Sequence, residues 1–112
     1  RRIFFAGDTG YGDHFRQVRD RLGPIDVALL PIGAYEPRWF MKDVHMDPWE
    51  AAQAHRDLEA RRSVGMHFGT FRLTAEGIDE PVAALAHARR DQQIADDEFA
   101  VLEFGATLQL VD

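Results

Sequence analysis

Asp8, His45 and His67 are the residues of this sequence whose types and surroundings could do chemistry. Asp8 sits in Gly7-Asp8-Thr9-Gly10-Tyr11-Gly12, immediately after an apolar run, His67 lies near the end of Ser63-Val64-Gly65-Met66-His67-Phe68, and His45 ends a long aromatic stretch. A carboxylate and a neutral imidazole are both metal ligands, and a chain without cysteine has to build any metal site from His, Asp and Glu. One Asp and one His make only half of a four-coordinate zinc site, because catalysis there wants at least three protein ligands plus water. Each residue also has a plainer reading. An Asp in a glycine turn commonly bonds its own backbone, and His67 could be a core histidine satisfied by a carbonyl. His45 could be a surface imidazole, a substrate contact, a proton donor or a group that orients a ligand.

The other histidines read as structural. His55 shares a helix face with Ala51 and Leu58 and is expected to pack inward; His87 lies opposite the apolar face of its helix, and His14 falls in an exposed first turn. Tyr35, Glu36, Arg38, Trp39 and Phe40 form a candidate substrate-binding rim for an anionic, partly apolar molecule, since Arg forks onto phosphate and aromatics supply contact area. The same residues could instead plug a loop onto the core. There is no G-x-x-x-x-G-K-[ST] or G-x-G-x-x-G pattern for a nucleotide, and no serine has a nucleophile-elbow context.

The elements that must position these groups alternate. Ile3 to Ala6 predicts a strand that stops at the glycine loop; Asp13 is placed to cap a helix carrying Phe15, Val18 and Leu22, ended by Gly23-Pro24. Asp26 to Leu30 is a continuous apolar run, as in a strand covered on both faces, closed by Pro31-Ile32-Gly33. Ala34 to Met46 has no clean period, and a loop of this length holding five large apolar side chains is expected to be functional rather than disordered. Asp47-Pro48-Trp49-Glu50 predicts a capped helix running to about Arg61. A third strand, Ser63 to Phe68, ends at Gly69-Thr70. A third helix opens at Asp79-Glu80-Pro81 with Val82, Leu85 and Ala86 on one face and frays near Asp91-Gln92-Gln93. Phe99 to Phe104 and Thr107 to Val111 predict two closing strands around Gly105-Ala106. The order is β-α-β-α-β-α-β-β, an α/β layer, mostly parallel, with an antiparallel edge pair. A parallel sheet brings Asp8 and His67 to one rim, where ligands of such sheets gather.

Composition narrows the classes. With 13 Lys and Arg against 19 Asp and Glu the net charge is −6, which argues against a nucleic-acid groove. At 112 residues with 46% hydrophobic content the chain is expected to fold as one soluble domain with one core; no apolar stretch approaches a membrane span of roughly 18 residues. The opening Arg1-Arg2-Ile3-Phe4-Phe5-Ala6-Gly7, without methionine, predicts a fragment, and a cellular compartment is not legible.

Four segments together resemble one family. Phe5-Ala6-Gly7-Asp8-Thr9-Gly10-Tyr11, Pro31-Ile32-Gly33-Ala34-Tyr35-Glu36-Pro37-Arg38-Trp39-Phe40-Met41, His45-Met46-Asp47-Pro48 and Met66-His67-Phe68-Gly69-Thr70-Phe71 are similar to the carboxyl-terminal half of the metallo-β-lactamase-fold hydrolases. Within them the resemblance is to the N-acyl-phosphatidylethanolamine-hydrolysing phospholipase D branch. It implies half of an αββα sandwich and a dinuclear zinc hydrolase in which Asp8 bridges the two metals, His67 binds one, and His45 takes a substrate-binding or proton-transfer role. The family's H-x-H-x-D-H run is absent from these residues. The resemblance therefore implies that residues 1–112 are one half of the domain, that zinc binds weakly to this chain alone, and that the chain alone is inactive. The open sheet face is expected to be covered by the other half or by a second copy, and the substrate to be a small-molecule or lipid ester. Two other classes stay open. One is a flavodoxin-like phosphoacceptor or binding module, weakened by the lack of an acidic cluster beside Asp8; the other is a non-catalytic folding or proteolysis fragment.

Overall fold

The alternation of apolar strands and amphipathic helices builds one parallel sheet in the computed structural model, which describes residues 1–69 and 76–110. β1 (Ile3–Phe5), β2 (Val27–Pro31), β3 (Arg62–Met66) and β4 (Phe99–Ala100) lie side by side in sequence order. The crossovers contain α1 (His14–Leu22), then α2 (Arg38–Met41) with α3 (Pro48–Asp57), and last α4 (Glu80–Gln92). Every crossover steps the same way across the sheet, and such connections are right-handed, so the three longer helices share one face. There Phe15, Ala54, Leu58 and Leu85 of the helical layer meet Ala28, Leu30 and Phe99 of the strands in a single core.

The opposite face carries no helix among the described residues. Pairing in register aligns Ile3 with Val27 and Arg62, and Phe5 with Leu29 and Val64, on that side. Ile3 and Phe5 are 61% and 66% exposed. Gln109 and Leu110 return beside Val27 and Arg62, and the Phe104 ring sits 6.5 Å from that of Phe68. One sheet with helices on one side is the layer pair that half of an αββα sandwich contributes. A flavodoxin-like sheet reverses its strand order beside β1; this one does not. None of the described helices is long and apolar enough to cross a membrane.

Several expected elements differ. The antiparallel edge pair is absent among the described residues: β4 is two residues long and parallel to β3, and the stretch from Val101 to Leu110 forms no strand. The turn itself exists, with the Ala106 N–H on the Glu103 carbonyl at 2.9 Å and Gly105 at φ +84. A two-stranded hairpin without a third strand is only marginal, and the flanks do not pair. Thr70, Phe71 and Val111 lie outside the described residues. α3 ends at Asp57 rather than near Arg61, because Glu59 turns left-handed at φ +49 and the Ala60 N–H reaches back to the His55 carbonyl. Its start follows expectation, with both bonds of the Asp47–Glu50 capping box formed. Asp13 makes no side-chain cap, since its backbone is already helical. Val82 and Leu22 face solvent; α4 buries Pro81, Ala84, Leu85 and Ala88 instead. The long loop contains α2, one turn of helix that the mixed composition concealed.

Candidate metal centre

β1, β2 and β3 run in the same direction, so their carboxyl ends open on one rim. Asp8 leaves β1 through Gly7, and His67 is the first residue beyond β3. His67 adopts φ +63, a left-handed conformation that non-glycine residues hold mainly where their surroundings impose it. Gly33 supplies part of that surrounding. A Cβ there would stand 2.1 Å from the His67 carbonyl oxygen, so only glycine lets the β2 and β3 exits come this close.

His45 reaches the same rim from the loop between β2 and α3. The loop passes through Ala34 at φ +62 and a cis Glu36-Pro37 bond, and it is held from outside by Glu76. That buried carboxylate accepts the Ala34 N–H at 2.6 Å and the Glu36 N–H at 3.0 Å. Nothing in the local sequence around Glu76 marks it as a functional residue.

The structure gathers three of the expected residues. An Asp8 carboxylate oxygen lies 3.3 Å from His67 Nε2, the His45 and His67 rings stack at 5.4 Å and 21°, and one donor atom from each of the three falls within 4.8 Å of the others. His45 Nδ1 is buried without a hydrogen-bond partner. Burial, with His67 adding repulsion, holds the His45 imidazole below its ordinary pKa, against the opposing pull of Asp8 and Glu76. A neutral ring with an unspent nitrogen, beside a carboxylate and a second imidazole, suits a divalent metal.

The rim residues divide. Trp39 and Phe40 are 85% and 68% exposed and meet edge to face at 5.8 Å. Tyr35 is buried, its hydroxyl donating to Glu80 at 3.0 Å, and burial with that bond raises its pKa. Glu36 joins Glu76 through its backbone. Arg38 turns inward to Tyr35, His45, Asp47 and Glu50. His14 and His87 are exposed, and His14 Nε2 lies 3.3 Å from the Thr9 hydroxyl. His55 is buried with Nδ1 2.7 Å from the Ser63 hydroxyl and Nε2 3.7 Å from Glu98. That trio has the residue types of a nucleophilic triad, but Ser63 is 1% exposed beneath α3, so the bond ties helix to strand.

Residues 1–68 match the Beta-lactamase superfamily domain, and the chain belongs to that family. It is a metallo-β-lactamase-fold protein resembling the N-acyl-phosphatidylethanolamine-hydrolysing phospholipases D. The phospholipase D 1 of that name from Caenorhabditis elegans is 43% identical over the whole of this chain and 32% of its own length. A metal-dependent hydrolase from Listeria monocytogenes is 37% identical over 96% of the chain and 40% of its own length. Among solved structures, a metallo hydrolase from the archaeon Ignicoccus hospitalis superposes with a TM-score of 0.63 at 27% identity, over 94% of this chain and 40% of that one. The chain thus spans well under half of each of these relatives.

Proposed function

We propose that this chain is the carboxyl-terminal half of a zinc-dependent hydrolase that cleaves phosphodiester bonds, as a phospholipase D does. The observation that carries the reading is the convergence of Asp8, His45 and His67 within 4.8 Å at the ends of parallel strands. The names of the relatives, one hydrolysing a phospholipid and another metal-dependent, support it. Asp8 and His67 would hold metal, and zinc bound there would supply a hydroxide nucleophile near neutral pH and stabilise developing negative charge. His45, kept neutral by burial, is equipped to ligate metal or to take a proton at its free Nδ1. Trp39 and Phe40 offer an exposed apolar surface for the non-polar part of a small-molecule or lipid ester. The remaining ligands come from polypeptide beyond this chain, which also covers Ile3 and Phe5, or a second copy covers them. This chain alone therefore binds zinc weakly and turns over no substrate.

The test uses the longer polypeptide. Asp8→Ala and His67→Ala are each expected to lower zinc affinity by more than about 100-fold, the upper end of what losing a ligand's outer partner does. Both are expected to abolish hydrolysis of bis(4-nitrophenyl) phosphate. Unchanged zinc content with unchanged turnover would place the metal elsewhere.

A further inference from the structure

We propose that Arg38 is a positioning residue that holds His45 in the metal cluster, rather than a grip for a substrate anion. The inference rests on the reading of His45 as a member of that cluster. The Arg38 guanidinium is directed at the protein itself. Nη1 donates to the carbonyls of Tyr35 at 3.0 Å and His45 at 3.2 Å, Nη2 donates to Glu50 at 2.5 Å, and Nε lies 3.7 Å from Asp47.

The consequence for His45 is specific. Its backbone N–H donates to the Met41 carbonyl at 2.8 Å and its own carbonyl accepts from Arg38, so both main-chain groups are tied. Only the ring is left to act, and it is stacked on His67 with Nδ1 unpartnered. Arg38 connects that backbone to the first turn of α3, where Asp47 and Glu50 already form the capping box. α3 in turn is anchored by buried Ala51, Ala52 and Ala54. His45 is thereby referred to the core through one side chain, although it lies in a loop.

The chemistry of the side chain is required. A cation at the amino end of a helix works against the helix dipole, so Arg38 is placed there by its carboxylate partners and by the fork geometry. A planar guanidinium can reach two carbonyls and two carboxylates at once, whereas an ammonium is a point charge with no fixed fork. Three of the five Arg38 N–H donors are therefore committed to protein acceptors and Nε faces Asp47, whereas its two neighbours, Trp39 and Phe40, stay exposed at the rim.

The test is a double-mutant cycle read as Zn²⁺ affinity by calorimetry on the longer polypeptide that carries the remaining ligands. Arg38→Met is expected to weaken Zn²⁺ binding by about 10-fold, as loss of a group that orients a ligand does. In a His45→Ala background the same change is expected to alter affinity less than about 2-fold, because the ligand it positions is gone. Arg38→Lys, which keeps a cation beside Asp47 and Glu50, carries the same comparison where Arg38→Met does not fold, and is expected to recover less than half of the loss. Equal weakening in both backgrounds would make Arg38 a general stabiliser and overturn the proposal. No weakening in either, while His45→Ala alone weakens binding, would overturn it and leave the cluster standing. Unchanged affinity in His45→Ala would remove His45 from the cluster, and the proposal with it.

Discussion

Two of the five histidines, His45 and His55, sit where burial disfavours the imidazolium, and they differ in what surrounds the neutral ring. His55 is satisfied by Ser63 at 2.7 Å, whereas His45 keeps a buried nitrogen without a partner, the atom that the proposed metal centre leaves available. Burial lowers the folded pKa of His55, against the weaker pull of Glu98. The unfolded chain then binds the proton more readily. Stability contributed by neutral His55 is complete above the unfolded value near pH 6.5 and falls as pH drops below it, with a slope of at most about 1.4 kcal/mol per pH unit. Chemical denaturation of the wild type and of His55→Gln between pH 5 and pH 8 checks this. The variant is expected to be less stable at pH 8 and to lose less on acidification, whereas parallel profiles would mean that His55 does not carry the dependence.

At the scale of elements, the site depends on how closely the β2 and β3 exits approach. Ile32 donates to the Met66 carbonyl at 3.0 Å, and Gly33 lies against the His67 carbonyl with no room for a Cβ. Gly10 plays the matching part on the other side, where a Cβ would meet the Lys42 and Asp43 carbonyls at 2.6 Å and push the β1 loop off the loop that carries His45. Gly33→Ala is expected to destabilise the chain by about 1–3 kcal/mol, the usual range for overpacking. It is also expected to weaken Zn²⁺ binding, because backbone rather than a flexible side chain must yield. Wild-type melting together with wild-type Zn²⁺ affinity would show that the rim relaxes without moving His67.

At the scale of the whole molecule, the helices protect one face of the sheet and leave Ile3 and Phe5 in solvent on the other. Two large apolar side chains exposed side by side on an edge strand are a candidate contact between chains. The chain alone is therefore expected to self-associate as its concentration rises in sedimentation experiments. Phe5→Glu is expected to shift it toward monomer while changing stability by no more than about 0.5 kcal/mol, as surface substitutions do. A wild-type chain that stays monomeric throughout would mean that the face is shielded without a partner.

Local chemistry was enough to determine the alternating elements, the α3 capping box, the inward His55 and the solvated His87, because periodicity and capping act between residues a few positions apart. The same short-range rules put Asp8 and His67 at strand ends, and strand direction then brought them to one rim. Where they failed, longer-range terms decided: the closing hairpin found no third strand to pair with, and Val82 lost its expected place because the core took Pro81, Ala84, Leu85 and Ala88. Arg38 reads in the sequence either as an anion grip beside two aromatics or as part of a plug that holds the loop to the core. Only the tertiary structure turns it inward, since carbonyls and carboxylates at 35, 45, 47 and 50 become one pocket for a guanidinium only once α2 and α3 are folded against each other. Glu76 is the extreme case. Its partners at Ala34 and Glu36 are remote in sequence, and no spacing rule connects a carboxylate to backbone donors across such a gap.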